Sequence, residues 1–252
     1  MIPYHRAVVI LAAGRGTRLN AREKPKVMLP VGGKPLVAHT VENLGLAGFA
    51  PAQICFVIGF QGSQLREFFG SDFLYAEQTE LLGTAHAAYV GMRALPQEVK
   101  HVLVLGGDDG SFYEPGTLKE FMDEHEAQKA TVSLLTAEVE NPSHFGRVVE
   151  MPHGNLRIIE KEYTTHEQVK IRKVSTGTFC FEREWFEDLF PRLPQLKKLG
   201  EYVLPTAFAL AQDQGKKVHI TNLKDSSEWF GVNTLEDLQE ADRRKKLKEA
   251  NI

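Results

Sequence analysis

The 252-residue sequence has few of the features that indicate a secreted, membrane or nucleic-acid-binding protein. It contains only two cysteines, Cys55 and Cys180. Both lie in apolar, strand-like runs, which favours buried thiols in a reducing cytoplasm over a disulfide or a metal site. There is no signal-peptide pattern and no apolar run long enough to cross a bilayer. The formal net charge is only −3, without the basic surplus typical of nucleic-acid binding. We therefore expect a cytoplasmic protein with no nucleic-acid or membrane partner.

What the chain does contain is an alternation of apolar runs and helical patterns. Hydrophobic residues make up 42% and charged residues 25% of the sequence, which is ordinary for a globular protein. The patterns predict strands at 7–13, 54–58, 73–76, 102–105, 174–182 and 217–221, a hairpin at 147–151 and 156–160, and helices at 36–46, 63–69, from 84 onward, 201–214 and 234–249. Alternating strands and helices predict an α/β fold with a mostly parallel sheet and helices on both faces.

A glycine-rich loop follows the first predicted strand. The loop reads Gly14-Arg15-Gly16-Thr17-Arg18, and Lys24 and Lys26 add positive charge shortly after it. Glycines let the backbone approach a ligand, and the N–H groups of such a loop can point at phosphate oxygens. The loop lacks the Gly-Lys-Ser/Thr of a Walker A motif and the third glycine of a dinucleotide fingerprint.

The pattern L-A-A-G-x-G-T-R-L, followed by K-P-K-x-x-x-P-V-x-G-K-P, resembles the signature of the sugar-1-phosphate nucleotidylyltransferases. The resemblance implies an enzyme that joins a nucleoside triphosphate to a sugar 1-phosphate and releases pyrophosphate. It implies catalytic roles for Arg18, which would hold the leaving phosphates, and Lys26, which would neutralise charge at the α-phosphate. The implied nucleotide-binding residues of this loop are Leu11, Ala12, Ala13, Gly14, Arg15, Gly16 and Thr17.

A second matching segment, Gln78 to Ala87, resembles the base-recognition segment of that family. There the amide of Gln78 would pair with the polar edge of the base, since an amide offers both a donor and an acceptor. Gly83 and Thr84 belong to the same implied nucleotide site. We also expect Thr84 to be the N-cap of a helix and His86 to have a structural role.

Two distant positions match the metal site of the family. Asp108 follows the predicted strand at 102–105, and Asn233 completes a matching Gly-Val-Asn. The resemblance implies that these residues bind the essential divalent cation, Mg²⁺, which prefers oxygen ligands and keeps several waters.

The positions implied to bind the sugar are Gly107, Gly146, Glu160, Ser175 and Thr176. The sequence departs from the family pattern at two of these places. Ser175 replaces an asparagine, and Asp109-Gly110 replaces the usual x-Pro after the metal-binding aspartate. Both departures fall where the sugar would lie, so they leave the acceptor open.

The resemblance extends from Ala7 to about Asp242 and is to the N-terminal uridylyltransferase domain of bifunctional enzymes. It implies one Rossmann-like nucleotidyltransferase domain over 1–252, with a nucleotide-binding half (1–137), a sugar-binding half with a small β-rich lid (138–233) and a C-terminal helix (234–252). We expect UTP and an N-acetylhexosamine or hexose 1-phosphate as substrates, and no acetyltransferase activity.

Two alternatives stay open: thymidylyl or cytidylyl transfer to another phosphate acceptor, and a catalytically silent nucleotide-binding regulatory subunit. The oligomeric state is not decided by the sequence. We interpret the basic run 243–246 as a solvated helix face.

Overall fold

The computed structural model describes residues 4–14, 16 and 24–250. In chain order the described strands are β1 (Arg6–Leu11), β2 (Pro30–Val31), β3 (Lys34–Pro35), β4 (Ile54–Ile58), β5 (Leu74–Glu77), β6 (His101–Gly106), β7 (Val132–Glu138), β8 (Arg147–Glu150), β9 (Leu156–Ile159), β10 (Lys173–Glu182) and β11 (Val218–Asn222). The described helices are α1 (Leu36–Leu46), α2 (Ser63–Phe69), α3 (Thr84–Arg93), α4 (Pro115–Ala127), α5 (Arg183–Leu189), α6 (Leu204–Asp213) and α7 (Leu235–Ala250).

The main sheet joins strands from both halves of the chain. Its path runs β11-β7-β10-β6-β1-β4-β5, and the hairpin of β8 and β9 branches from β10. Neighbours along the path are parallel except at β10, which is antiparallel to both β6 and β7. The predicted mixed, mostly parallel α/β sheet is therefore confirmed, with β10 as the strand that reverses direction.

Helices cover both faces of this sheet. Ala7 and Val9 of β1 pack into one apolar cluster, which includes residues of α3, α5 and α6. Val8 and Ile10 pack into a second cluster, which includes residues of α1, α2 and α4. Because its central strands are buried on both faces, they consist of nearly continuous apolar runs. The same burial explains why the sequence patterns located these strands.

The carboxyl ends of three parallel strands meet at one edge. Leu11 at the end of β1 pairs with Gly106 of β6 on one side and with Val57 of β4 on the other. The loops that follow these strands therefore begin side by side. This edge is where ligands bind in open α/β sheets, and it carries the glycine-rich loop and the Asp108 loop.

Several elements differ from the sequence-based expectations. The patterns did not identify α4, β7 or α5 as separate elements. Helix α6 begins at Leu204 and not at Glu201, because its N-cap Val203 is extended and Tyr202 donates its N–H to the carbonyl of Leu82 at 2.7 Å. Glu201 pairs instead with Leu196. The thiols of Cys55 and Cys180 are free and buried, as expected. None of the described helices is both long and apolar enough to span a bilayer.

The basic run at 243–246 is not uniformly solvated, so that expectation was wrong for one residue. Lys245 is only 8% exposed, and its Nζ donates to the carbonyl of Ser111 and lies 4.6 Å from the ring centre of Phe112. Arg243 and Lys246 are exposed. Helix α7 thus inserts one lysine into the protein, against the loop that follows Asp109.

Candidate active site

The glycine-rich loop leaves the sheet with an open backbone. Ala12 and Ala13 are buried, and the N–H of Ala12 donates to the carbonyl of Val57 at 2.9 Å, which continues the pairing of β1 with β4. Gly14 is exposed, and a Cβ added to it would meet no atom within 4 Å. Gly16 has a φ of 61°, in the left-handed region that favours glycine. The expected site residues Arg15, Thr17 and Arg18 lie outside the described residues.

Lys26 and Asp108 are brought together across the edge of the sheet. The Nζ of Lys26 forms an ion pair with Oδ2 of Asp108, and the two side chains are 18% and 17% exposed. Lys26 opens a short 3₁₀ turn, in which Val27 is buried. A Cβ on Gly107 would lie 2.9 Å from Val27, so glycine at 107 allows this turn to pack against the end of β6.

Gly107 itself uses both of its backbone groups inside the protein. Its N–H donates to the carbonyl of Leu11 at 3.0 Å, and its carbonyl accepts from the hydroxyl of Thr40 at 3.3 Å. Gly107 thus allows close packing at the end of β6, and its carbonyl oxygen keeps a second lone pair with which it can accept from a ligand.

Asp109 and Asn233 lie on either side of Gly231. Oδ1 of Asp109 and Nδ2 of Asn233 are each 3.2 Å from the position that a Cβ on Gly231 would take. Asp237 holds the Asn233 loop, because its carboxylate accepts from the N–H of Asn233 at 2.9 Å and from that of Thr234 at 2.8 Å. The two distant sequence segments that carry Asp108 and Asn233 therefore border one small volume.

The electrostatics of this volume are dominated by two neighbouring carboxylates. Burial, together with the charge of Asp108, raises the pKa of the Asp109 carboxyl above its ordinary value, while the charge of Lys26 opposes this. Among the described residues no three His, Cys, Asp or Glu side chains gather as a metal centre. The polar groups here are instead two carboxylates and the amide of Asn233, which faces Gly231 through Nδ2 and would have to turn its oxygen toward a cation. Carboxylate and amide oxygens are the donors that hard divalent cations prefer.

The space beside Gly106 shows where a cation would fit. A Cβ on Gly106 would lie 2.8 Å from Oδ2 of Asp109 and 3.1 Å from Oδ1 of Asp108. The missing side chain thus leaves a cradle that both carboxylates face. A divalent cation suits this cradle, because Lys26 balances only one of the two negative charges.

Gly146, Glu160 and Ser175 form a second group, beside the hairpin of β8 and β9. Oε2 of Glu160 lies 3.6 Å from the position of a Cβ on Gly146, and Ser175 donates its N–H to the carbonyl of Gly146 at 2.9 Å. Burial, with the charges of Glu162 and Glu201, raises the pKa of Glu160. A bulge in β10 follows Ser175 and includes Gly177, whose Cβ position would be 3.5 Å from Oδ2 of Asp109. The bulge therefore connects the group of Gly146, Glu160 and Ser175 to the carboxylates of Asp108 and Asp109.

Thr176 points away from this group. Its side chain is buried, and its hydroxyl donates to the carbonyl of Leu135 at 2.9 Å. The expected contact of this residue with a sugar is left to its backbone.

Gln78 is buried, and its amide is held inside the segment from Gln78 to Ala87. Its Nε2 donates to the carbonyl of Gly83 at 3.2 Å and lies 3.1 Å from Nδ1 of His86, whose ring stacks on Phe190. The geometry gives His86 a structural role that the sequence analysis left unspecified, namely fixing the orientation of Gln78. The proximity of Nδ1 to an amide donor indicates that this nitrogen accepts.

The expectation that Thr84 caps α3 was wrong. The N-cap of α3 is Gly83, which has a φ of 104°. This position requires glycine, because a Cβ there would lie 2.5 Å from the carbonyl oxygen of Tyr202. Thr84 is the first helical residue, and its hydroxyl instead accepts from the N–H of Leu204, at the start of α6, at 3.2 Å.

Three residues that lie at or beside this site had no specific site role predicted from the sequence. Asp109 was seen only as a departure from a family pattern, although two adjacent carboxylates after a buried strand are themselves a signal. Asp237 forms a capping box with Thr234, a spacing that can be read from sequence. His86 gave no local signal of its contact with Gln78.

Comparison with known proteins is consistent with this geometry. Residues 7–247 match the family model described as nucleotidyl transferase. The chain is 34% identical over 240 residues to the bifunctional protein GlmU of Heliobacterium modesticaldum, covering 95% of this chain and 52% of that protein. It is 36% identical over 239 residues to the GlmU protein of Symbiobacterium thermophilum, with 94% and 50% covered. The chain thus spans about half the length of these relatives.

A solved structure of UDP-glucose pyrophosphorylase, complexed with UDP-glucose, superposes with a TM-score of 0.80 at 21% identity, covering 96% of this chain and 99% of that one. At this identity the likeness concerns the fold alone. Together with the match over most of the chain, it confirms the resemblance drawn from the motifs: the chain belongs to the nucleotidyl transferase family.

Proposed function

We propose that the chain transfers a nucleotidyl group from a nucleoside triphosphate, UTP first of all, to a sugar 1-phosphate. An N-acetylhexosamine or hexose 1-phosphate would be the acceptor, and a nucleotide sugar and pyrophosphate the products. The observation that carries this proposal is the meeting of Lys26, Asp108, Asp109 and Asn233 beside the open glycine-rich loop. A cation, carboxylates and an amide at one sheet edge suit the handling of several phosphates.

In the proposed reaction, a phosphate oxygen of the sugar 1-phosphate forms a bond to the α-phosphorus, and the bond from that phosphorus to the β-phosphate oxygen breaks. Pyrophosphate leaves with the electron pair of that bond. The attacking phosphate is already an anion at neutral pH, so no general base is required. Catalysis then rests on positioning and charge neutralisation.

Lys26 supports this reading because its ammonium lies at the edge of the sheet and is already partly desolvated. In such a site a fixed positive charge stabilises the negative charge that develops at phosphorus far more than it would in water. We assign the binding of the β- and γ-phosphates to the open backbone at Gly14 and, from the sequence motif alone, to Arg18.

We propose that Asp108 and Asn233 hold the divalent cation, Mg²⁺ by preference. Bound there, the cation would neutralise charge on phosphate oxygens of both substrates. Gln78 would read the base, with its orientation fixed by His86 and Gly83. Glu160 would accept hydrogen bonds from sugar hydroxyls, close to the backbone of Gly146.

The test is pyrophosphate release by the purified protein, with UTP, dTTP and CTP crossed against N-acetylglucosamine 1-phosphate, glucose 1-phosphate and an alcohol phosphate. We expect turnover with UTP and a sugar phosphate, and loss of turnover when EDTA removes the metal. Turnover only with dTTP or CTP would assign a different nucleotide. Tight UTP binding without pyrophosphate from any acceptor would instead indicate a regulatory subunit.

A further inference from the structure

Asp109 lies between the two residues to which the proposed function assigns the cation. Its Oδ2 shares the space beside Gly106 with Oδ1 of Asp108, and its Oδ1 shares the space beside Gly231 with the amide of Asn233. The two oxygens of one carboxylate therefore reach toward both expected ligands. A residue so placed is positioned to complete a donor set and not merely to border it.

The carboxylate of Asp109 also has no hydrogen-bond donor within 4–14, 16 and 24–250, the residues that the structure describes. The ammonium of Lys26 is committed to Oδ2 of Asp108. A partly buried carboxylate without a donor is costly, and a like charge next to it adds to the cost. A divalent cation beside this carboxylate would offset both costs.

The surrounding glycines keep the space open. Gly106, Gly177 and Gly231 each face an oxygen of Asp109. A Cβ on Gly106 would lie 2.8 Å from Oδ2, and a Cβ on Gly231 would lie 3.2 Å from Oδ1. Gly177 has a φ of 76°, which is costly for other residues. Because these three positions come from β6, the β10 bulge and the loop before α7, the absence of side chains around Asp109 is shared by three separate segments.

We propose that Asp109 is a third protein oxygen donor to the divalent cation, in addition to Asp108 and Asn233. This rests on the proposed function for the place of the cation, but it predicts a property that needs no turnover. With two carboxylates and an amide in place, the free protein binds a divalent cation before any nucleotide arrives. A site with fewer protein donors would depend more on phosphate oxygens for its affinity.

The experiment is a Mn²⁺ titration of the nucleotide-free protein, followed by electron paramagnetic resonance of the unbound ion. Wild type, Asp109→Asn, Asp109→Ala and Asp108→Asn are compared, with Asp72→Asn, an exposed aspartate on the α2–β5 loop, as the matched control. We expect saturable binding by wild type and by the control. Both Asp109 variants should weaken it at least about tenfold, since loss of an outer-shell partner alone can cost that much.

A second measurement, the unfolding temperature with and without MgCl₂, keeps the result independent of misfolding. Without metal, Asp109→Asn should unfold at a temperature equal to or above that of wild type, because a repulsive charge is gone. With metal, its upward shift should be smaller than that of wild type.

The proposal is overturned if wild type binds no Mn²⁺ without nucleotide, or if the Asp109 variants bind it as wild type does. An altered KM for the sugar phosphate with unchanged Mn²⁺ binding would overturn it too, and would make Asp109 a sugar contact. Pyrophosphate release by wild type, measured separately, tests the proposed function itself. Metal binding through Asp109 without any turnover would leave this inference standing and reject that function.

Discussion

Lys26 and Asp108 are the two residues whose partnership is most open to direct test. We predict that Lys26→Ala and Asp108→Ala each lower kcat by a factor on the order of 10² or more, because each removes charge placed to act at the α-phosphate. Steady-state pyrophosphate release measures this. Lys224→Ala, an exposed lysine paired with Glu120 away from the site, should keep wild-type turnover. Near-normal kcat in both site variants would reject the assignment.

Glu160 gives a prediction on the acceptor side. We expect Glu160→Gln to raise KM for the sugar 1-phosphate, because Glu160 lies beside Gly146 in the group to which the proposed function assigns the sugar. KM for the nucleotide should stay close to that of wild type. Equal changes in both KM values would argue for a general structural effect.

The raised pKa of Glu160 also predicts a pH dependence. A carboxyl with a raised pKa takes up its proton at a higher pH than an ordinary glutamate, and the protonated form is a weaker acceptor. As pH falls through that raised pKa, KM for the sugar phosphate should rise in wild type. Glu160→Gln cannot titrate, so comparing the two profiles separates this effect from protonation of the substrate phosphate. Parallel profiles would contradict the prediction.

At the residue scale, motifs predicted which side chains to examine but not how they contact one another. The family resemblance assigned Lys26, Asp108 and Asn233 to one site, and the structure pairs Lys26 with Asp108. The contact of His86 with Gln78 spans only eight positions, but no sequence pattern indicated it. Thr84 was misassigned because its partner, Leu204, is more than a hundred positions away.

At the element scale, α7 ties together the segments around the cradle. Near its start, Asp237 accepts from Asn233, and further along Asp242 accepts from the N–H of Gly32 at 2.8 Å. Lys245 reaches the carbonyl of Ser111, in the turn that follows Asp109. One helix thus contacts the loops that carry both groups of oxygen donors.

Lys245 carries a stability prediction for this helix. Burial lowers its pKa to about 8, so between that value and its ordinary one the unfolded chain binds more protons than the folded chain. The folded state is therefore penalised at low pH and gains stability as pH rises. From pH 7 to 9.5, wild type should gain on the order of 2 kcal/mol relative to Lys245→Met.

Urea unfolding of both proteins at the two pH values measures this difference. Lys246→Met, which removes an exposed lysine of the same helix, should show no such change relative to wild type. A constant difference between wild type and Lys245→Met across the two pH values would show that Lys245 does not titrate in this window. The sequence could not reveal this residue, because in a helix rich in lysine and arginine the one buried position is decided by its tertiary partner.

At the scale of the whole molecule, β10 makes the two sequence halves share one sheet, since it lies between β6 of the first half and β7. Periodicity predicted most strands of the main sheet but missed the buried strand β7, and it carries no information on strand order. The antiparallel insertion of β10 is a long-range pairing, and only the packed structure shows it.

We predict that the chain unfolds in one cooperative transition, as a single domain should. Circular dichroism and tryptophan fluorescence should give coincident curves. UTP with Mg²⁺ should raise the free energy of unfolding of the whole chain by about 2.7 kcal/mol when UTP is in hundredfold excess over its Kd. Two separate transitions, with only one responding to UTP, would divide the chain into independent units.

The hydrogen bonds between the segment at Gly83 and the segment at Tyr202 have a consequence for ligand binding. Ala85 donates its N–H to the carbonyl of Tyr202, and Thr84 accepts from Leu204, so hydrogen bonds join the segment from Gln78 to Ala87 to the first turn of α6. A shift of either segment on ligand binding displaces the other. We therefore expect a ligand bound at the segment from Gln78 to Ala87 and a ligand bound beside α6 to change each other's affinity by the same factor.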